Sequence, residues 1–265
     1  MTRTPAGIVA KAMPLALAAA ILPASPLVAQ GADPGEAATA PPTGPDLSLT
    51  ADIASDHRRR GLSWSDGRAA ASARAQLALG DVELAAVIVS TRGSARHGGG
   101  HVAIDLSAGI TRDVGGISLS GWVTGHIFPG RANTAYGELS LEAAKSLGPA
   151  QFALSASYAP AQSSIGGDNL YLSARGNIGI PGTRWTLAGH VGRSTGSIDD
   201  ATIANRLRPG GRYDDWGISA DYVIGKVTLG ARYTGTDIDS DAALPPLADR
   251  ANVDDRIALY AAVSF

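Results

Sequence analysis

From residue 46 to the last residue, the sequence alternates apolar and small polar residues with the two-residue period of a β-strand. In the first run, Leu47, Leu49 and Ile53 fall on one face, and Ser48 and Asp52 fall on the other. About twelve such runs of roughly ten residues follow one another, and this is the strand length that crosses a bilayer at a tilt. The pattern predicts an all-β protein, namely a transmembrane antiparallel β-barrel of about twelve strands with up-and-down topology. The run from Val82 to Thr91, which is apolar on both faces, fits the pattern least well.

The connections between the runs alternate in length. The short ones include residues 80–81 and 225–226, and the long ones are residues 61–69, 92–100, 129–134, 160–168, 195–212 and 236–254. Outer-membrane barrels place long loops outside and short turns in the periplasm, and an even strand number puts both chain ends in the periplasm. A soluble β-sandwich would alternate along its strands too, but it does not require this alternation of loops.

The amino-acid composition agrees with apolar residues that are spread along the chain and not gathered into long segments. The 265 residues are 45% hydrophobic and 17% charged, yet the mean hydropathy is only +0.05. The absence of cysteine excludes a disulfide scaffold, a zinc–thiolate site and a cysteine nucleophile. A net charge of −2 provides no basic field for nucleic acid, so we expect no such partner.

The N-terminal region predicts export. Residues 1–29 combine Arg3 and Lys11 with an apolar stretch over residues 12–22 and a small-residue cleavage site at Ala29, as in a signal peptide. Residues 30–45 are rich in Pro, Gly and Ala and are expected to form a flexible periplasmic tether. The barrel would then occupy residues 46–265.

The C-terminal end carries a second export feature. Phe265 follows apolar residues at alternating positions, Leu259, Ala261 and Val263, and this ending is similar to the C-terminal signal of many bacterial barrels. We therefore expect a location in the bacterial outer membrane. The expected partners are outer-membrane lipid, lipopolysaccharide, periplasmic chaperones and the barrel-assembly machinery, whereas the oligomeric state stays open.

Residues 55–70, with the sequence SDHRRRGLSWSDGRAA, resemble the opening signature of the TorF family of predicted porins, also called the Gcw_chp proteobacterial proteins. His57 and Arg59 replace two aromatic residues of that signature, and Ala69 replaces a proline. The segments at residues 213–216 and 233–237, Arg256 and the terminal Phe also resemble the closing strands of the family. The resemblance implies an outer-membrane barrel and says little about a substrate. The residues that fit the signature are Ser55, Asp56, Arg58, Arg60, Gly61, Ser63, Ser65, Asp66, Gly67 and Ala70.

If the apolar face meets lipid, the polar face lines the lumen. Its charges are nearly balanced, which leaves two interpretations open: a mixed constriction that orients small polar or zwitterionic solutes, or a lattice of ion pairs that fills the lumen. The pore-lining candidates are Asp52, Asp56, Arg58, Arg60, Arg74, Asp105, His126, Glu138, Glu142, Arg175, His190, Asp221, Arg232 and Arg256.

One part of this set is the preferred functional cluster. Asp56, Arg58 and Arg60 are expected to rise along one face of the first strand towards the outer mouth. Arg59 would point outward at the same height, where it either pairs with lipopolysaccharide phosphate or is solvated at the rim.

Other motifs carry little chemistry. His97 and His101 could offer two imidazoles to a metal, but a flexible polar loop explains them better. Asp237, Asp239 and Asp241 begin like a calcium loop that then lacks its glycine and glutamate. We therefore expect no metal and no cofactor.

Three functions remain from this reasoning. The first is a porin-like channel for passive diffusion of small polar solutes. The second is a closed structural or adhesive barrel that acts through the loops at residues 195–212 and 236–254. The third and most remote is a barrel lipase or deacylase with His126 or His190 as the base. No G-x-S-x-G motif accompanies either histidine, so an enzyme is not expected.

Overall fold

In the described part of the chain, twelve long antiparallel strands follow one another around a closed barrel. The computed structural model describes residues 45–239, 244, 247–248 and 250–265. The barrel closes where the first strand pairs with the last, with Thr50 opposite Ser264. The strands of the wall are β1 (Asp46–Ala54), β4 (Ala70–Leu79), β5 (Val82–Ser94), β6 (Gly100–Val114), β7 (Ile117–Ile127), β8 (Tyr136–Leu147), β9 (Ala150–Gln162), β10 (Gly167–Gly179), β11 (Trp185–Thr195), β12 (Tyr213–Ile224), β13 (Val227–Thr236) and β14 (Arg256–Ser264).

This architecture confirms the predicted twelve-stranded barrel. The predicted signal peptide at residues 1–29 and residues 30–44 of the predicted tether lie outside the described residues, as does Asp241. In the part that the structure describes, the helical elements are short: a 3₁₀ turn at Ala95–His97, α1 (Ala201–Ala204) and α2 (Arg250–Val253). None of the helices in this part is long and apolar enough to cross a membrane.

The outer face of the wall is a band of exposed aliphatic side chains. Leu141, Leu154, Ile218 and Ile257 each expose about two thirds of their surface, at 67–68%. Residues between them in sequence, such as Ser140 and Ser219, turn inward and are less exposed. An apolar surface of this extent is unfavourable in water and suits hydrocarbon.

The two ends of the barrel differ as predicted. One end has tight turns, several of which contain a glycine with positive φ, for example Gly80 at 63° and Gly225 at 58°. The other end has the long connections. Two of these, predicted at residues 92–100 and 160–168, shrink to residues 95–99 and 163–166 because β5, β9 and β10 extend further than expected.

The chain departs from the predicted pattern directly after β1. The wall strand ends at Ala54, and residues 55–69, here called the plug, fold into the lumen around a small hairpin of β2 (Arg58–Arg59) and β3 (Leu62–Ser63). Leu62, Ser63 and Trp64 are almost fully buried. The prediction that Asp56, Arg58 and Arg60 rise along one strand face is therefore wrong, because this segment is not part of the wall.

Candidate functional site: a plugged lumen

The plug is held together by one buried carboxylate. Asp56 accepts a hydrogen bond from Arg58 Nη1 at 3.1 Å and from the hydroxyls of Ser63 at 2.5 Å and Ser65 at 3.0 Å. The hydroxyl of Ser63 also accepts the N–H of Gly67 at 2.8 Å. Most of the polar residues at 55–67 that carry the family resemblance thus form hydrogen bonds within the plug.

The tip of the plug is a two-residue turn. Arg60 and Gly61 both have positive φ, 49° and 71°, as the type I′ turns of β-hairpins require. A long side chain is unusual in this conformation, and contacts to the wall hold Arg60 in it. Its guanidinium lies 2.6 Å from Glu138 and over the ring of Tyr171 at 4.3 Å, and its carbonyl accepts the hydroxyl of Tyr213 at 2.9 Å.

Consecutive arginines anchor the plug on different sides of the barrel. Arg58 donates to the carbonyl of Asp254, beside β14, at 2.7 Å. Arg59 pairs with Asp105 on β6 at 2.6 Å, and Arg60 pairs with Glu138 on β8. The hairpin therefore crosses the lumen, and charge-assisted contacts fix it on both sides.

The outward orientation predicted for Arg59 is wrong. Its side chain is only 11% exposed, and its guanidinium lies over the indole of Trp64 at 4.0 Å, inside the barrel. After Ala54 the chain turns inward and leaves the wall. From there on, the two-residue alternation no longer tells which side chains face outward. A contact between Arg59 and lipopolysaccharide is therefore excluded in this arrangement.

Asp105 also binds His126. The distance from His126 Nδ1 to Asp105 is 2.7 Å, and the imidazole stacks on Tyr136 with ring centroids 4.4 Å apart. His126 Nε2 is buried, and within the described residues no hydroxyl lies in hydrogen-bonding distance of it. In this part of the chain, the pair is not joined to a hydroxyl as the base of a hydrolase triad would be.

The long loops cover the plug from outside. Arg96 and Arg206 are buried, and each donates Nε–H to the other's backbone carbonyl, at 3.0 and 2.7 Å. Arg96 also donates to the carbonyl of Ser63 in the plug at 2.9 Å. The flexible loop predicted around His97 is wrong: this side chain is 2% exposed and stacks on Phe128 at 4.7 Å. His101 lies elsewhere, against Gly93.

Below the plug, towards the short turns, the inward side chains are partly exposed to water. Arg175 pairs with Glu142 at 2.5 Å. His190 is partly exposed here, and its Nε2 lies 3.1 Å from Asp215, which is buried against the tip of the plug. Asp221 accepts the hydroxyl of Tyr260. The other predicted pore-lining positions on the wall, Asp52, Arg74, Arg232 and Arg256, also lie on the inward face or at its rim.

Large rings lie against glycines on the inward face of the wall. A Cβ added to Gly109 would clash with Trp122, one on Gly192 with Tyr171, and one on Gly230 with Tyr260. Glycine on the neighbouring strand therefore lets each ring lie along the wall.

Comparison with known proteins agrees with this picture. The model of a bacterial protein family of unknown function, Gcw_chp, matches residues 37–265. The chain belongs to the Gcw_chp family. The family resemblance seen at residues 55–70 is thereby confirmed, and it falls on the plug. A search of curated proteins found no match.

Solved structures show the fold. The porin NanC has 10% identity over 83% of this chain and 99% of its own, with a TM-score of 0.51. The COG4313 outer membrane channel from Pseudomonas putida F1 has 16% identity over 88% of this chain and 98% of its own, with a TM-score of 0.50. This Gcw_chp chain therefore has a porin-like outer-membrane barrel fold.

Sequence reasoning identified the acids that anchor the plug, Asp105 and Glu138, but it missed the aromatic and basic residues packed around it. No local sequence pattern distinguishes these residues from residues of a surface loop or of the barrel rim. They are Trp64, Tyr171 and Arg206. The only local signal of the inward turn was the pair Arg60-Gly61, since a glycine at this position favours a two-residue turn.

Proposed function

We propose that this Gcw_chp protein is an outer-membrane channel that admits small polar solutes by passive diffusion, with the plug as its constriction. The observation that carries the proposal is the partial exposure of polar inward side chains, such as Ser155, Ser173 and Ser219, up to the level of the plug. A lumen lined by hydroxyls and mixed charges suits hydrated solutes. No covalent chemistry and no cofactor is part of this function.

The plug would set the size limit and control passage. It is joined to the wall at β6 and β8 by the ion pairs of Arg59 and Arg60. A solute would pass when the hairpin shifts from the wall, and that shift has to break these buried ion pairs. We expect a small conductance for this reason.

A second candidate function has its own support. The reciprocal hydrogen bonds of Arg96 and Arg206 join the outer loops over the plug, as expected of a closed structural or adhesive barrel. In that case the structural or adhesive function would belong to the loops at residues 195–212 and 236–254, and no solute would pass through the lumen.

Export and location belong to the same proposal. Residues 1–29 would direct the chain out of the cytoplasm, and Phe265 would be read by periplasmic chaperones and the barrel-assembly machinery. The backbone N–H of Phe265 donates to the carbonyl of Leu49 at 2.8 Å and the residue is 66% exposed, so Phe265 pairs with β1 at the seam of the barrel. Lipid and lipopolysaccharide would surround the apolar band.

Conductance of the purified full-length protein in a planar bilayer tests the proposal. Steady single-channel steps are expected. A protein that is folded, as judged by altered gel mobility without boiling, but electrically silent would contradict the channel and favour the closed barrel. Release of fatty acid from lipid, lost in His126→Ala, would instead support a deacylase.

A further inference from the structure

His97 lies where an outer loop, the plug and the wall meet. It ends the 3₁₀ turn Ala95–His97 in the connection between β5 and β6. Its imidazole stacks on Phe128, which follows β7, at 4.7 Å, and contacts the indole of Trp64 in the plug at 4.5 Å between ring centroids. The residue is 2% exposed, and its Nε2 is buried without a hydrogen-bond partner among the described residues. The outer loop thus rests on the plug through a titratable ring.

Three guanidinium groups from three different elements lie around this imidazole. Arg96 precedes it in the same turn and is buried. Arg206, from the outer loop between β11 and β12, lies 5.5 Å from the ring of Phe128. Arg59, from the plug, lies 4.0 Å from the indole of Trp64. These two rings are the ones that the imidazole contacts.

In the described part of the chain, no carboxylate forms an ion pair with His97. Asp105 on β6 is the acid that acts on it, and this carboxylate already binds Arg59 at 2.6 Å and His126 at 2.7 Å. The other titratable ring on this side, Tyr136 on β8, stacks on His126. A proton on the imidazole would therefore add a further positive charge to a buried site that is rich in cations, and this is unfavourable.

The loop that carries His97 can turn about a glycine hinge. Three consecutive glycines at residues 98–100 follow it, and glycine leaves the backbone free to rotate. Arg96 donates to a carbonyl of the plug at 2.9 Å, and Arg131, from the loop after β7, donates to the carbonyl of Gly99 at 2.8 Å. Both contacts use neutral carbonyl groups, so neither of them offsets a proton on the imidazole.

The buried position of His97 makes the closed loop sensitive to pH. Burial, then Arg96 and Arg206, hold the pKa of His97 well below 6.5, so the imidazole is neutral at pH 7. If the loop lifts from the plug, the ring meets water and regains a pKa of about 6.5. The closed arrangement is therefore most stable above about pH 6.5 and loses stability as the pH falls below this value.

We propose that His97 is a pH-sensitive latch, whose protonation in mild acid releases residues 95–99 from the plug and opens the outer mouth of the barrel. The latch rests on the proposed function only for its consequence, which is a faster passage of solutes in acid. The movement of the loop itself does not require that the channel conduct.

Cysteine labelling of the folded full-length protein in detergent tests the latch. Ser94 directly precedes the turn and is fully buried, and its hydroxyl makes no hydrogen bond to the described residues. Ser94→Cys therefore places a thiol that a water-soluble maleimide reaches only when the loop opens. Ala95→Cys is the matched reference, because Ala95 is exposed in the closed loop. The ratio of the two labelling rates cancels the effect of pH on the thiol and measures how often the loop is open.

We expect this ratio to rise about tenfold between pH 7.5 and 5.5, as linkage to one proton with a free pKa of about 6.5 requires. His97→Phe keeps a stacking ring but takes no proton, so its ratio is expected to stay within about twofold over the same range. His101→Phe is the control, since His101 is already exposed at the start of β6. This variant is expected to keep the full rise.

Three results would overturn the latch: a flat ratio in the parent protein, a tenfold rise in His97→Phe, or loss of the rise in His101→Phe. If His97→Phe does not fold, His97→Gln decides, because glutamine takes no proton either. Its ratio is expected to be flat with pH, and a tenfold rise in this variant overturns the proposal.

Failure of the latch and failure of the channel have different signatures. A protein whose labelling ratio rises in acid but which is silent in a bilayer keeps the latch and loses the diffusion channel. A protein that conducts while its labelling ratio stays flat keeps the channel and loses the latch.

Discussion

At the residue scale, the plug depends on close approach at its tip. Gly61 sits where a Cβ would lie 2.6 Å from Thr236 Cγ2 and 2.8 Å from Asp215 Cβ. Real Cβ atoms do not come this close to other atoms, so glycine is needed here for space as well as for its positive φ.

Gly61→Ala should therefore loosen the plug. Gly80→Ala is the matched control, since Gly80 has a similar φ of 63° but no atom within 4 Å of its added Cβ. The left-handed conformation alone costs alanine roughly 1–2 kcal/mol at either position. We expect Gly61→Ala to lower the unfolding temperature more than Gly80→Ala does. The unfolding temperature is measured by the change in gel mobility of samples heated to increasing temperatures. Equal losses would show that the tip is not packed against the wall.

The carboxylate of Asp105 makes a second residue-scale prediction. It is 2% exposed and serves both Arg59 and His126, so Asp105→Asn leaves a buried cation without its partner. Such a loss costs roughly 3–5 kcal/mol, which we expect to find as a lower free energy of unfolding in urea.

Asp81→Asn is the control for this substitution. The Asp81 side chain is 60% exposed and pairs with Arg112 at 3.0 Å beside a short turn, and exposed pairs contribute little. If the two variants lost the same stability, the plug would not depend on its ion pair with β6.

At the element scale, most of the wall could be predicted from sequence because lipid imposes a strict requirement. Outward residues within the hydrocarbon band must be apolar, so the alternation assigns both face and register, as in Leu139, Leu141 and Ala143 on β8. On β5 the inward residues Ala85, Val87 and Val89 are buried and apolar as well, which explains why this strand fitted the pattern least.

The plug could not be predicted for the opposite reason. Residues 55–60 are all polar, so no apolar face reports whether they continue the strand or leave it. What holds them inside is a set of contacts distant in sequence, such as Arg60 with Glu138 and Tyr213 with Arg60. A local pattern contains no information on such pairs.

A prediction for the strands follows from their two faces and the natural absence of cysteine. On β10, Ser173 points into the lumen and Leu172, which is 47% exposed, points outward. In protein folded into liposomes, Ser173→Cys should react with a water-soluble maleimide and Leu172→Cys should not. Labelling of Leu172→Cys alone would reverse the assignment of the faces.

At the scale of the whole molecule, the barrel combines a water-accessible lower lumen with an outer mouth closed by the plug and the loops above it. The sequence pattern assigned all of the inward charges to the strands of the wall. In the structure they are divided between the wall and the plug, and most of them are paired. Ion pairs fix the plug, in agreement with one interpretation of those charges, whereas a constriction that orients small solutes stays a prediction.

Removal of the plug tests the central claim most directly. Ala54 and Ala70 face each other across β1 and β4, so a Gly-Ser-Gly-Ser turn in place of residues 56–68 can join the strands without changing the wall. The measurement is single-channel conductance of this variant beside the wild type, both shown to be folded by gel mobility. We predict a conductance several times that of the wild type, with loss of any gating. An unchanged conductance would contradict a plug that controls the lumen.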